Sequence, residues 1–185
     1  APRSPPSRRS SPIFSGAKLM NQITRISRAL FAFTLVGGGL AVPMGLAAQD
    51  GPQWISLSEA QAIITAAQND ATSKNLQLSI AVVDGRGDLI AATRMPNARP
   101  TTMDTAIGKA MGAAIFGRPS AELAATSTSP LYQNMNQASA GRLRFFQGAV
   151  PIVRDGYTVG AVGASGASSR ADEDNVKAAL AAVGL

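Results

Sequence analysis

Four basic side chains, Arg94, Arg99, Lys109 and Arg118, fall on and around one segment made mostly of small residues: Ala106, Gly108, Ala110, Gly112, Ala113 and Ala114. Guanidinium and ammonium groups placed together can receive the carboxylates of a ligand, although cations on a surface usually do no more than stay solvated. Lys109 stands apart because its neighbours are small and apolar, and a lysine buried among them calls for a reason. One such reason is chemistry, since burial can bring a lysine into use as an amine base or Schiff-base former. Met95, Met103, Met111 and Met135 can line an adaptable apolar pocket or offer a thioether to iron. The spacing of Met103 and Met111 also suits plain core packing. Tyr132 and Tyr157 can act as phenolate ligands to ferric iron or as ordinary strand tyrosines. The run Gly160-Ala-Val-Gly163-Ala-Ser-Gly166 can present backbone amides to an anion. It has neither the phosphate-loop nor the dinucleotide spacing, and the acidic Asp172-Glu173-Asp174 that follows repels phosphate. Close packing of the last helix on a sheet is the better reading.

Composition removes several classes of chemistry. The chain has no cysteine and no histidine, which excludes a Ser-His-Asp triad, a Cys-His pair and a zinc site of the usual donors; no metal site is expected. The formal charge of +6 is confined to one end. Six of the 17 basic residues precede Gln49, where there is no acidic residue, and the remaining eleven balance the eleven acidic ones. Nucleic-acid binding needs a basic face to release counterions, and a neutral domain has none to spare.

The elements that must position these residues follow from local pattern. Ser56-Leu-Ser-Glu59 is a capping box opening a helix to about Lys74, with Leu57, Ala60, Ile64, Ala67 and Ala71 on its apolar face. Leu76 to Val83 alternates as a half-buried strand, Asp84-Gly-Arg-Gly-Asp88 is a turn, and Leu89 to Met95 returns. Thr101 or Thr102 caps the small-residue helix, which Gly117-Arg118-Pro119 ends. A short helix starts at Ser120. Thr126 to Ala140 reads as a polar functional loop or short helical turn. Leu143 to Phe146, Ala149 to Arg154 and Tyr157 to Ala164 read as strands, the last two joined by the Asp155-Gly156 turn, with Pro151 marking an edge or an irregularity. A final helix begins near Ser169 and stops at Gly184, with Val176, Leu180 and Val183 as its stripe. Strands arriving in runs between helices predict an α+β domain with one antiparallel five-stranded sheet.

Ahead of this domain lies a leader. From Met20 the chain carries Arg25 and Arg28, then fourteen apolar or small residues from Ala29 to Val42, then Pro43 and Gly45-Leu46-Ala47. That is the three-part pattern of an export signal, too short to span a bilayer. The expected organisation is an upstream extension over 1–19, a signal peptide over 20–47 cleaved after Ala47 or Ala48, and one domain over 48–185. The expected location is periplasmic or secreted, with no membrane span after processing.

The domain also resembles a known family, the GlcG/HbpS-like haem-binding and haem-degrading domains, which include the C-terminal domain of PduO-type proteins. The resemblance runs from about Leu57 to Val183. It is carried by Ile80-Ala-Val-Val-Asp84-x-x-Gly87-Asp88-Leu89, by Thr105-Ala-Ile-Gly-Lys109-Ala-x-x-Ala-Ala114-x-Phe116-Gly117 and by Gln147-Gly148-Ala149-Val150-Pro151-Ile152. Asp155-Gly156, Val159-Gly160-Ala-Val-Gly163-Ala-Ser-Gly166 and Asp172-Glu-Asp complete it. Ala149 departs from the family's usual pair of glycines. The resemblance implies a profilin- or PAS-like fold, homo-oligomers, a small-molecule ligand and haem as the cofactor to test. Family haem binding has been tied to histidine and threonine. With no histidine here, the iron would have to take Thr, Lys, Tyr or Met, or no axial protein ligand. The residues expected around the ligand are Arg94, Met95, Thr105, Lys109, Tyr132, Phe146 and Gly148. The competing readings are an enzyme of small organic acids using Lys109 with Arg94 as carboxylate anchor, and a non-catalytic sensor-accessory module.

Overall fold

The computed structural model describes residues 53–185; the predicted extension and signal peptide lie outside the described residues. The first helix, α1 (Leu57–Ser73), opens with the predicted capping box. The Glu59 amide donates to Ser56 Oγ, and the Ser56 amide donates to Glu59 Oε2 at 2.8 Å, so two orphan amides of the first turn are satisfied at once. Its buried face is Ala60, Ile63, Ile64, Ala67 and Ala71, while Leu57 stays exposed.

Next come β1 (Ser79–Asp84), β2 (Leu89–Arg94), α2 (Thr102–Phe116), α3 (Ser120–Thr126), α4 (Pro130–Ala138), β3 (Ala149–Arg154), β4 (Tyr157–Ser165) and α5 (Ser169–Ala182). The strands form one antiparallel sheet in the order β2-β1-β4-β3. Two expectations are corrected here. The sheet has four strands, not five, because Leu143 to Phe146 joins no ladder. All six residues of β1 are buried, so the strand is not half-buried. Helices cover both of its faces, and a strand covered on both sides needs no polar positions.

The two faces hold separate cores. Ile80, Val82, Val162 and Ala164 face α1 and α5, where Ile63, Ala67, Val176 and Ala179 pack. Val83, Ala149 and Ala161 face the other way, toward Ala110, Met111 and Ala113 of α2, Leu123 of α3 and Tyr132 of α4. The polar stretch after Thr126 therefore contains a two-turn helix, α4, that contributes a buried Tyr132.

Glycines let α2 approach more closely than side chains would allow. A Cβ at Gly163 of β4 would stand 2.5 Å from the Ala106 carbonyl oxygen, and one at Gly108 would stand 2.5 Å from the Arg142 carbonyl oxygen. The helix thus lies directly on the strand on one side and directly under segment 142–144 on the other. In β4 it is Gly163 that makes room, for α2 rather than for the last helix, while at Gly160 a side chain would meet the Val83 carbonyl and Ile55. The predicted threonine cap of α2 is absent. Thr101 is in the left-handed region at φ 65° with no capping bond from its side chain. Thr102 lies within the helix, its hydroxyl donating to the Arg99 carbonyl and sharing a hydrogen bond with Ser79.

Lys109 joins the two layers. From α2 its Nζ donates to Asp172 Oδ2 at 2.9 Å and to the Ala164 carbonyl at 3.0 Å, with both side chains almost wholly buried. Asp172, in the first turn of α5, also accepts from the Ala167 amide. The lysine passes the end of the sheet at Gly148. There φ is +131°, and a Cβ would stand 2.6 Å from the Lys109 Nζ.

Turn chemistry completes the frame. Asp155 and Gly156 both have positive φ, as the tight hairpin of β3 and β4 requires. In the β1–β2 turn, burial pushes the Asp84 carboxyl up, but the Asp88 amide, the Arg86 guanidinium and the Arg86 amide more than offset this and hold it below the usual carboxylate range.

Two outcomes follow for stability. A carboxyl lowered in the folded state stabilises the fold above its ordinary value, and that contribution is lost as pH falls through the lowered one. Asp84→Asn should therefore be less stable than the parent at neutral pH, and the gap in urea midpoint should close on acidification; a gap that ignores pH contradicts this. Lys109→Met strands a buried carboxylate and should cost about 3–5 kcal/mol in denaturant unfolding. Adding Asp172→Asn, which leaves no uncompensated charge, should restore about half of that loss or more.

Candidate functional site

Segment 139–146 leaves α4 through a bend in which Ala140 and Gly141 both have positive φ, 55° and 70°. It then runs extended along α2. Leu143 and Phe145 turn inward and are buried, while Arg142 is exposed and Arg144 half-buried. The alternation that suggests a strand is present, but the backbone partners are not strands. The Leu143 amide donates to Asn136 Oδ1, and the Arg144 amide donates to the Gly108 carbonyl of α2 at 3.1 Å.

This arrangement places both guanidinium groups over a cleft of about 400 Å³. Its apolar wall is Leu89 of β2 with Ile107 and Met111 of α2, and its charged groups are Arg142, Arg144 and, on the α2 side, Asp104. That volume falls in the range of small-molecule sites, which join an apolar surface to a few placed polar groups. Neither arginine has a carboxylate partner among the described residues. Arg144 Nη1 donates to the Gly141 and Leu143 carbonyls, which fixes the head group. Arg142 Nη2 donates to Met111 Sδ at 3.5 Å. A second cleft, about 320 Å³, shares Arg144 and adds Gln133, Asn136, Phe145 and Phe146.

The residues expected around the ligand do not form one cluster. Lys109 and Gly148 meet, but with Asp172 and in the interior. Thr105 is in the first turn of α2, its hydroxyl donating to the Thr101 carbonyl. Met95 is buried in the α1-side core, and its sulfur accepts from the Leu78 amide. Arg94 is exposed and donates to the Ala98 carbonyl. Tyr132 stacks on Phe116 with ring centres 4.7 Å apart and meets Phe145 edge-on; its hydroxyl accepts from Arg118. Phe146 is the member of the set that lines a cleft, the second one, and it is exposed. Arg142 and Arg144, which sequence reasoning passed over, are the groups that overhang open space. The signal for them was the alternation Arg142-Leu143-Arg144-Phe145, which sends both guanidiniums to one side of an extended chain. No group of three or more metal-ligating side chains converges among the described residues.

Known proteins match this chain in sequence and in fold. A family model described as haem degrading protein HbpS-like matches residues 55–181. Protein GlcG of Escherichia coli K12 is 36% identical over 113 residues, 60% of this chain and 81% of that protein. A double mutant of Streptomyces reticuli HbpS superposes with a TM-score of 0.65 at 26% identity, over 85% of this chain and 99% of the other. PduOC, solved as a complex with haem, superposes with a TM-score of 0.64 at 26% identity, over 71% and 96%. The chain belongs to the GlcG/HbpS-like family.

Proposed function

We propose that this chain is an exported small-molecule-binding protein that takes haem, or a related planar ligand bearing carboxylates, without a histidine to the iron. The observation that carries the reading is the cleft between α2 and segment 139–146, where an apolar wall meets two arginines that have no carboxylate partner among the described residues. Membership of an HbpS-like family and likeness to a protein solved with haem support it.

The residues fit part of haem. Leu89, Ile107 and Met111 suit an apolar macrocycle, and Arg142 and Arg144 suit its carboxylates. The chain has no imidazole or thiolate for the iron. The competing reading of Lys109 as an amine base finds no support in the geometry, because its Nζ is tied to Asp172 and Ala164 in the interior. Export rests on the leader pattern from Met20 to Ala47, and no helix among the described residues is long and apolar enough to cross a membrane. Assembly into homo-oligomers is part of the same proposal. Exposed Trp54, Val153 and Tyr157 supply apolar surface near the hairpin end of the sheet.

Titration of the purified chain with haemin should give a saturable change in the Soret band at about one ligand per protomer; linear partitioning without saturation overturns haem as a ligand. Expression of the full chain in a bacterial host should yield an exported product whose first residue is Ala48 or Gln49. Retention of the leader in the cytoplasm overturns export.

A further inference from the structure

The haem chemistry and the donors present do not match at the iron, and that mismatch points to how the ligand is read. We infer that the cleft under Arg142 and Arg144 recognises its ligand by carboxylates and an apolar planar body, with no contribution from a bond to iron. An iron-free porphyrin dicarboxylate is therefore as good a ligand as haem. This rests on the proposed binding function and narrows it to a site and a ligand class.

The side chains that sequence alone offered as iron donors are engaged elsewhere or, like Met103 and Met135, line neither cleft. Lys109 Nζ is held by Asp172 and the Ala164 carbonyl. The Tyr132 hydroxyl accepts from Arg118 inside an aromatic cluster. The Thr105 hydroxyl donates to the Thr101 carbonyl. Met95 Sδ accepts from the Leu78 amide in the opposite core. Met111 does reach the cleft, but the residue is 5% exposed and its sulfur accepts from Arg142. The exposed Tyr157 is in the β3–β4 hairpin and lines neither cleft.

The anion-binding capacity, in contrast, is open. A guanidinium carries five donors in a planar fork matched to carboxylates. Among the described residues Arg142 uses one nitrogen, on a thioether, and Arg144 one nitrogen, on two backbone carbonyls of its own segment. The left-handed pair Ala140-Gly141 leads the chain into the segment whose Arg142 and Arg144 line the cleft with Leu89, Ile107 and Met111. Asp104 on the α2 wall repels a carboxylate placed there, so the anionic edge of a ligand is directed to the arginine side and its apolar body to the α2 side.

The test titrates the full chain with haemin, with protoporphyrin IX followed by its own fluorescence, and with protoporphyrin IX dimethyl ester, whose carboxylates are capped. Haemin and protoporphyrin IX should bind with dissociation constants within about threefold of each other, since no metal bond separates them. The ester, and the Arg142→Gln/Arg144→Gln variant with either acid, should bind about tenfold or more weakly, as the loss of charge-assisted hydrogen bonds implies. Both arginines are at the surface, and an unchanged circular dichroism spectrum and urea midpoint confirm that the variant is folded. Haemin binding without protoporphyrin IX binding overturns the inference and leaves the proposed function standing, as does a variant that binds like the parent. Binding of neither porphyrin removes both.

Discussion

The Lys109–Asp172 ion pair is the interaction on which the rest of the molecule depends. The two belong to helices on opposite faces of the sheet, and they meet where the sheet ends, at the Ala164 carbonyl. Taking both charges out of water is costly unless every donor and acceptor is matched. Here Asp172 takes Lys109 on one oxygen and the Ala167 amide on the other. The pair therefore specifies an arrangement: α2, α5, the end of β4 and the start of β3 are held to one register. Gly148 belongs to the same device, since a side chain there would occupy the space of the ammonium. Without cysteine, and so without disulfides, a small domain with two separate cores gains from such a link between them.

That link sets where ligand chemistry can be. Lys109 is the most conspicuous reactive group in the sequence, and the structure spends it on architecture. The two cations that line the cleft are on segment 139–146, outside regular secondary structure and hydrogen-bonded to α2. Binding residues often occupy such positions, on connecting segments fixed by a scaffold.

Features specified by near neighbours in the chain were legible in the sequence. The Ser56–Glu59 box, the Asp155-Gly156 hairpin and the Gly117 stop of α2 each depend on residues within a few positions. The family was legible for a different reason, from the order of several short segments matched together. The fifth strand failed because alternation reports only that Leu143 to Phe146 is extended and has two unlike sides. Whether its backbone meets a strand or a helix carbonyl depends on Gly108 and Asn136. The acidic residue at 172 read as part of a run that repels phosphate, because its true partner is 63 positions away. Arg142 and Arg144 were passed over for a similar reason: the apolar wall that gives them meaning comes from β2 and α2.

The glycines at 108 and 163 have one more effect. Backbone pressed on both sides of α2 keys the helix like a shaft in a slot, so it can neither roll nor slide. The cleft then has one fixed jaw. Its other jaw is pinned to that helix as well, through the Arg144 amide on the Gly108 carbonyl and through the buried Leu143 and Phe145. With both walls held, the opening is pre-formed, and a ligand is selected by its thickness rather than accommodated.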